Sequence, residues 1–312
     1  MKVGIIDMGT NTFHLLVAEV RDHDFTVLFK EKLLVRIGEG GISHGLITEE
    51  ATQRALKALE RFNEVLKAEK VDEVFATATS AIRNAKNGVE FAGRVQRELG
   101  IEVRIISGDE EAETIYYGVK KAIPMTDEPV LIMDIGGGSI EFIIGNQSEI
   151  FWKRSFEIGG QRLIDQFHSH DPILPEEVIR LQSYLAMNLE PLFEACQMYK
   201  PQTLVGSSGT FDTLSDIYML DNKIEKNPLG TEFPFTLDAF EGIYEKMITL
   251  NRQERMNVPG MIEMRVDMIV VASILIHFIN QKLDIKNIRV SAYALKEGVL
   301  LKTIHSLYKK RV

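Results

Sequence analysis

The chain has one cysteine and one tryptophan in 312 residues. A lone Cys196 excludes an internal disulfide and agrees with a reducing compartment. No positively charged residue adjoins it in sequence, so it is expected to be inert, and Trp152 is expected to serve packing. Positive charge is also scarce. Lys and Arg number 36 against 45 Asp and Glu, a formal charge of −9. That balance argues against general attraction to nucleic acid or acidic membranes, so a polyanionic ligand must be met by local cations. Long apolar runs are missing as well. The longest, residues 268–279, has 12 residues and includes His277. It is too short to span a bilayer and reads as a buried helix. The first residues already form a strand pattern in place of a basic and apolar leader, so the expected location is the cytoplasm.

Several signatures are absent. There is no low-complexity segment and no short-period repeat. No Gly-Lys-Ser/Thr occurs, no G-x-G-x-x-G and no H-E-x-x-H, which excludes the common P-loop, dinucleotide and zinc-protease motifs. His168 and His170 fall on one side of an extended segment and argue against zinc. His14 and His277 sit singly on apolar stretches and are expected to be packed in the core.

What remains is a soluble composition, 45% hydrophobic and 26% charged, long enough for two domains with a core each. Residues 3–7, 14–20 and 25–30 read as a β-meander, extended by 33–37. A helix capped by Thr48 follows to about residue 70. Then come strand 71–77, helix 88–99, strand 102–106 and helix 108–123. Residues 124–129 are the linker candidate. A second meander covers 130–135, 140–145 and 149–156. Helices are expected at 160–168, 175–199, 238–250, 262–283 and 294–308, another after the turn at 206–210, and strands at 203–205 and 288–291. Residues 220–235 read as a surface loop. Two meander-plus-helix halves predict an α/β protein with its site in the cleft between them.

The stretch 130–141 is the strongest signal. An apolar strand ends in Asp134, three glycines follow (Gly136, Gly137, Gly138), then Ser139 and Glu141. Successive glycines let backbone N–H groups converge on an anion, and Asp134 and Glu141 are suited to a hard cation beside it. A plain glycine-rich hairpin turn is the simpler reading. Against it stands an echo 127 residues earlier, where Asp7 precedes Gly9, Thr10, Asn11 and Thr12. A third turn, Gly206 to Thr210 with Ser208 and Gly209, again follows a strand. Three hydroxyl- and glycine-bearing turns offer many short donors to phosphate oxygens.

Two further groups stand out. Asp109, Glu110 and Glu111 open a helix, where acids are often only dipole partners. A carboxylate at that strand-to-helix junction could also orient or deprotonate a water, and the residues alone do not choose between Glu110 and Glu111. Arg83 follows a strand beside Thr77, Thr79 and Ser80, where a guanidinium could clamp a phosphate.

In chain order, the segments Asp7 to His14, Thr79 to Ala85, Ser107 to Ala112, Asp134 to Ser139, Gly206 to Thr210 and Ser291 to Gly298 resemble the exopolyphosphatase / guanosine pentaphosphate phosphohydrolase family, within the actin-like ATPase and sugar kinase superfamily. The resemblance implies an α/β fold of two ribonuclease-H-like domains with the active site in the interdomain cleft. The domains are expected at 1–124 and 125–312, the second with helical insertions, and the helix 294–312 is available to join the first. It implies Mg2+-assisted release of terminal orthophosphate from inorganic polyphosphate or guanosine pentaphosphate. By that likeness Glu111 activates the water, and Asp134 and Glu141 act as catalytic and metal residues, with Asp7 also on the metal side. Thr10, Asn11, Thr12, Arg83, Gly136, Gly137, Gly138, Ser139, Ser208, Gly209, Thr210 and Arg265 fall on phosphate-binding positions. The expected partner is inorganic polyphosphate or a guanosine polyphosphate nucleotide, with no nucleic acid and no membrane. The oligomeric state is left open, a homodimer included.

Two departures bear on this. Where the family pattern has an acid and an arginine, this chain has Ala292 and Lys296. The chain also stops near Val312, without the extra C-terminal helical domain of long members, so short polyphosphates or a nucleotide are the expected substrates. The alternatives are an ATP-dependent kinase or ATPase of the same superfamily, and a non-catalytic sensor of a polyphosphorylated nucleotide.

Overall fold

Alternating apolar residues make the opening of the chain an antiparallel meander of β1 (Lys2–Met8), β2 (Thr12–Arg21) and β3 (Asp24–Leu34). The computed structural model describes residues 1–309. After a short 3-10 turn at Ile42–His44, helix α1 (Glu49–Ala68) is capped by the Thr48 hydroxyl, which accepts from the Ala51 N–H at 3.2 Å. Strands β4 (Glu73–Ala78) and β5 (Val103–Ile105) then add in parallel, giving the order β3-β2-β1-β4-β5. Helices α2 (Ser80–Arg83), α3 (Gly88–Leu99) and α4 (Gly108–Ala122) follow strands β4 and β5.

The second sheet repeats this connectivity. The meander β6 (Val130–Ile135), β7 (Ile140–Gly145) and β8 (Ile150–Phe156) is followed by α5 (Gly160–Phe167), α6 (Pro175–Asn188) and α7 (Glu190–Tyr199). Strand β9 (Thr203–Ser207) joins β6 in parallel and leads into α8 (Ser208–Asp221). The chain continues through β10 (Glu232–Phe233), α9 (Leu237–Thr249), α10 (Arg252–Met256), α11 (Met268–Leu283), β11 (Asn287–Ser291) and α12 (Leu295–Lys309). The sheet order is β10-β11-β9-β6-β7-β8. In each sheet a three-stranded antiparallel meander is joined by two parallel strands, β4 and β5 in the first and β9 and β11 in the second, where the short β10 adds an antiparallel edge; this is the expected two-sheet α/β architecture.

The chain divides into two compact units. Among the described residues, one comprises Met1–Gly118, Gly136–Gly138 and Leu295–Lys309; the other comprises Val119–Ile135 and Ser139–Ala294. The divide falls within α4. Residues 310–312, at the end of the helix expected over 294–312, lie outside the described residues. Each unit has its own apolar cluster, the first built on Ile6, Phe13, Leu59, Phe62 and Ile82, the second on Phe142, Leu185, Phe211 and Ile274. Every residue of β6 and β7 is buried, which is why that stretch reads as continuous rather than alternating. Among the described residues no helix is long and apolar enough to cross a membrane.

Some expected elements differ. The extension at 33–37 is the end of β3 at Leu34 followed by irregular chain. The single helix expected at 175–199 breaks at Leu189, because Pro191 lacks an N–H and fits only a first helical turn, so α7 starts afresh. The helix expected from 262 begins at Met268. Residues 257–267 are turns through Pro259 and Gly260, and their apolar spacing imitates a helix. The four residues of α2 and the five of α10 were too short to show a period.

Candidate active site

In the first unit the β1–β2 turn presents Thr10, Asn11 and Thr12, with both threonines buried. Asp7 on β1 is the cross-strand partner of His14 on β2, and His14 Nε2 lies 3.0 Å from Thr12 Oγ1. His14 is thus a neighbour of the turn, not a core histidine. Gly136, Gly137 and Gly138 pack with this unit. A Cβ at Gly138 would stand 2.5 Å from Ser80 Oγ and 2.6 Å from Thr10 Oγ1, so only glycine allows this approach. Ser80, at the start of α2, therefore belongs to the same group. It was visible only as one of several small hydroxyls before Arg83.

Arg83 closes α2, and its Nη1 donates to Glu111 Oε2 at 2.7 Å and to the Ile106 carbonyl at 3.2 Å. Glu111 is buried in the first turn of α4. Its neighbour Glu110 turns the other way, to Arg104 at 2.8 Å. The two acids that residue type and position alone could not separate are therefore distinct: Glu110 serves a half-exposed surface pair and Glu111 the buried one.

In the second unit Asp134 is the penultimate residue of β6 and Glu141 the second of β7, and they are direct cross-strand partners. Residues so placed share one face of a sheet, their Cβ atoms about 5 Å apart. Each carboxylate is held by a serine: Ser207, which lies in the third turn but had no assigned role, and Ser155, which sequence did not single out. Ser207 Oγ donates to Asp134 Oδ2 and Ser155 Oγ to Glu141 Oε1, both at 2.7 Å. Ser155 reaches Glu141 from β8 by cross-strand register, which no sequence spacing reveals. Ser139, between the glycines and β7, is buried in this unit.

The turn from β9 into α8 is the third group. Ser208 takes a positive φ of 67°, unusual for a residue with a side chain, and Gly209 and Thr210 follow, fully enclosed. The Arg265 guanidinium lies against Gly209, where any Cβ would overlap its Nη2. Arg265 is itself only 7% exposed. Burial pulls its pKa down from the ordinary arginine value, and the charges of Asp212 and Asp134 oppose that shift. Its Nε and the Thr210 hydroxyl are buried with no hydrogen-bond partner. Among the described residues no three His, Cys, Asp or Glu side chains are grouped to hold a metal. The altered segment near the C-terminus serves α12. Lys296 and Lys30 lie 3.2 and 3.3 Å from the buried carboxylate of Glu297.

A profile of the Ppx/GppA phosphatase family matches residues 16–307. The chain belongs to that family. The matched span includes Arg83, Glu111, Asp134, Glu141, Thr210 and Arg265, and begins after the Asp7–Thr12 turn. Exopolyphosphatase 1 of Mycobacterium tuberculosis is 27% identical, over 98% of this chain and 89% of its own. The crystal structure of an exopolyphosphatase from Cytophaga hutchinsonii superposes with a TM-score of 0.95 and 44% identity, over 98% of both chains. The Ppx/GppA family member of Aquifex aeolicus gives a TM-score of 0.80 with 26% identity, again over 98% of both. The fold of this Ppx/GppA protein is thus shared end to end with phosphatases, and a hydrolytic enzyme is the class it falls in.

Proposed function

We propose that this protein removes terminal orthophosphate from inorganic polyphosphate or a guanosine polyphosphate nucleotide by attack of water on the phosphoanhydride. One observation carries the reading. The buried Arg265 has an unpartnered Nε and lies over a side-chain-free Gly209, beside an equally unpartnered Thr210 hydroxyl. A buried charge is costly unless paired, and a phosphate oxygen supplies the acceptor that both donors lack. The planar guanidinium suits that oxygen in shape as well as charge. The relatives named exopolyphosphatases favour polyphosphate as the substrate class.

Glu111 is the residue assigned to orient the attacking water and take its proton. Arg83 holds its carboxylate in one direction and is itself a candidate for the terminal phosphate. Thr10, Asn11, Thr12 and the Gly136–Gly138 backbone are assigned to phosphate oxygens.

Asp134 and Glu141 fit Mg2+ as a donor pair: hard oxygens, buried, on adjacent strand positions and each fixed by a serine. Mg2+ commonly takes one or two carboxylates and completes its shell with water and substrate phosphate. Bound there, it would neutralise charge developing on the phosphoryl oxygens.

The test is phosphate release from short polyphosphate, long polyphosphate and guanosine pentaphosphate, each with and without Mg2+. Release from at least one, requiring Mg2+, is the expected result. No release from any of them overturns the proposal, and release confined to guanosine pentaphosphate would exclude the polymer.

A further inference from the structure

Among the described residues Arg255 is the largest side chain that is fully buried, and none of the groups assigned above uses it. It sits in α10, a five-residue helix started by a capping box in which Asn251 Oδ1 accepts from the Glu254 N–H and Glu254 reaches back to the Asn251 N–H. Its guanidinium reaches three places at once. Nε donates to the carbonyl of Val266 at 3.0 Å, and Nη1 donates to Asp171 Oδ1 at 2.7 Å and to the Leu250 carbonyl at 2.6 Å. Val266 is the residue next to Arg265.

The irregular segment 257–267 that carries Arg265 is held at a second point. Gly260, with φ of +93°, packs on the backbone of α8 so closely that a Cβ would stand 2.7 Å from the Ile217 N. Helix α8 is the one whose first turn holds Gly209 and Thr210. The loop is therefore pinned to α8 at Gly260 and to α10 at Val266, and Arg265 leaves the pinned stretch directly over Gly209.

A buried arginine is a poor way to gain stability. Its Nη2 has no partner, and burying such a charge is often no better than an apolar residue of the same volume. What a guanidinium does better is hold three fixed acceptors in one plane. We infer that Arg255 is a positioning residue for Arg265, setting through the Val266 carbonyl where the phosphate-facing guanidinium stands. This rests on the assignment of Arg265 to substrate phosphate.

A double-mutant cycle with polyphosphate as substrate separates the two claims. Arg265→Ala should raise KM by roughly 10- to 100-fold, the loss of a charge-assisted contact. Arg255→Lys keeps the charge and much of the volume but not the fork, and should raise KM by roughly 5- to 20-fold with a smaller change in kcat. In the Arg265→Ala background the same change should move KM less than about twofold, because the side chain it positions is gone. An equal effect in both backgrounds overturns the inference and makes Arg255 a structural residue only. Unchanged KM in Arg265→Ala overturns the phosphate assignment and the inference with it. Should Arg255→Lys fail to fold, Asp171→Asn, which loosens the same guanidinium at Nη1, is carried through the same cycle and read in the same way.

Discussion

Arg83 and Glu111 stand 2.7 Å apart, their side chains only 14% and 8% exposed. One is the residue assigned to a phosphate, the other to a water. Each holds the other, and under that assignment a phosphate oxygen on Arg83 would compete with Glu111 for the guanidinium.

Replacing Glu111 by Gln keeps the volume and removes the proton acceptor. Phosphate release should fall by about 10²- to 10⁴-fold, the usual range for a lost general base. Substrate binding, measured by equilibrium dialysis, should change less than about threefold. Turnover within about twofold of the parent would remove Glu111 from the mechanism.

Arg83→Lys retains the charge but can no longer donate to both Glu111 and Ile106 in one plane. It should cost about 10-fold or more in kcat/KM, with Arg83→Ala worse by a further factor of about 10, since the buried carboxylate then loses this charge-assisted contact. Steady-state kinetics on both variants decide this; equal losses would mean that the charge of residue 83 is immaterial.

Glu177 gives a pH dependence of stability. Burial pushes its carboxyl up, yet the Leu174 N–H, the His170 ring and the Ser169 N–H together bring it down to about 2. Unfolded glutamates protonate near about 4.3, so between about 4.3 and about 2 the unfolded chain binds a proton that the folded chain does not. Its stabilising contribution is complete above that window and is lost as pH falls through it. Glu177→Gln should cost about 2 kcal/mol at pH 7. Urea melts should show the gap between parent and variant closing as pH drops towards about 2.5. A gap that stays constant would deny the carboxylate this role.

Cys196 is 6% exposed, and burial pushes its thiol up to about 12. Only the thiolate is nucleophilic, so at pH 8 a thiol reagent should label the folded protein at least about 10²-fold more slowly than the urea-unfolded chain. Fast stoichiometric labelling of the native protein would contradict its burial.

Much of this was legible in the sequence because it depends on local rules. The β6 strand, Asp134 near its end and the glycines after it are contiguous. The Thr48 cap and the acidic first turn of α4 follow from neighbours within four residues. Less legible were elements too short to show a period, such as α2 and α10, and the break before α7, which turns on one proline.

The sequence by itself determined the α/β class, the three glycine-and-hydroxyl turns and the family to which they belong, since each is written in residues close together along the chain. Only the tertiary structure decided which acid of α4 is the buried one, that Ser155 and Ser207 hold Glu141 and Asp134, and that Arg265 covers Gly209. Those contacts join residues 14, 73 and 56 positions apart, and no local spacing rule reaches that far. They arise when strands take their register and a loop is pinned at both ends, which the cooperative packing of a whole unit determines.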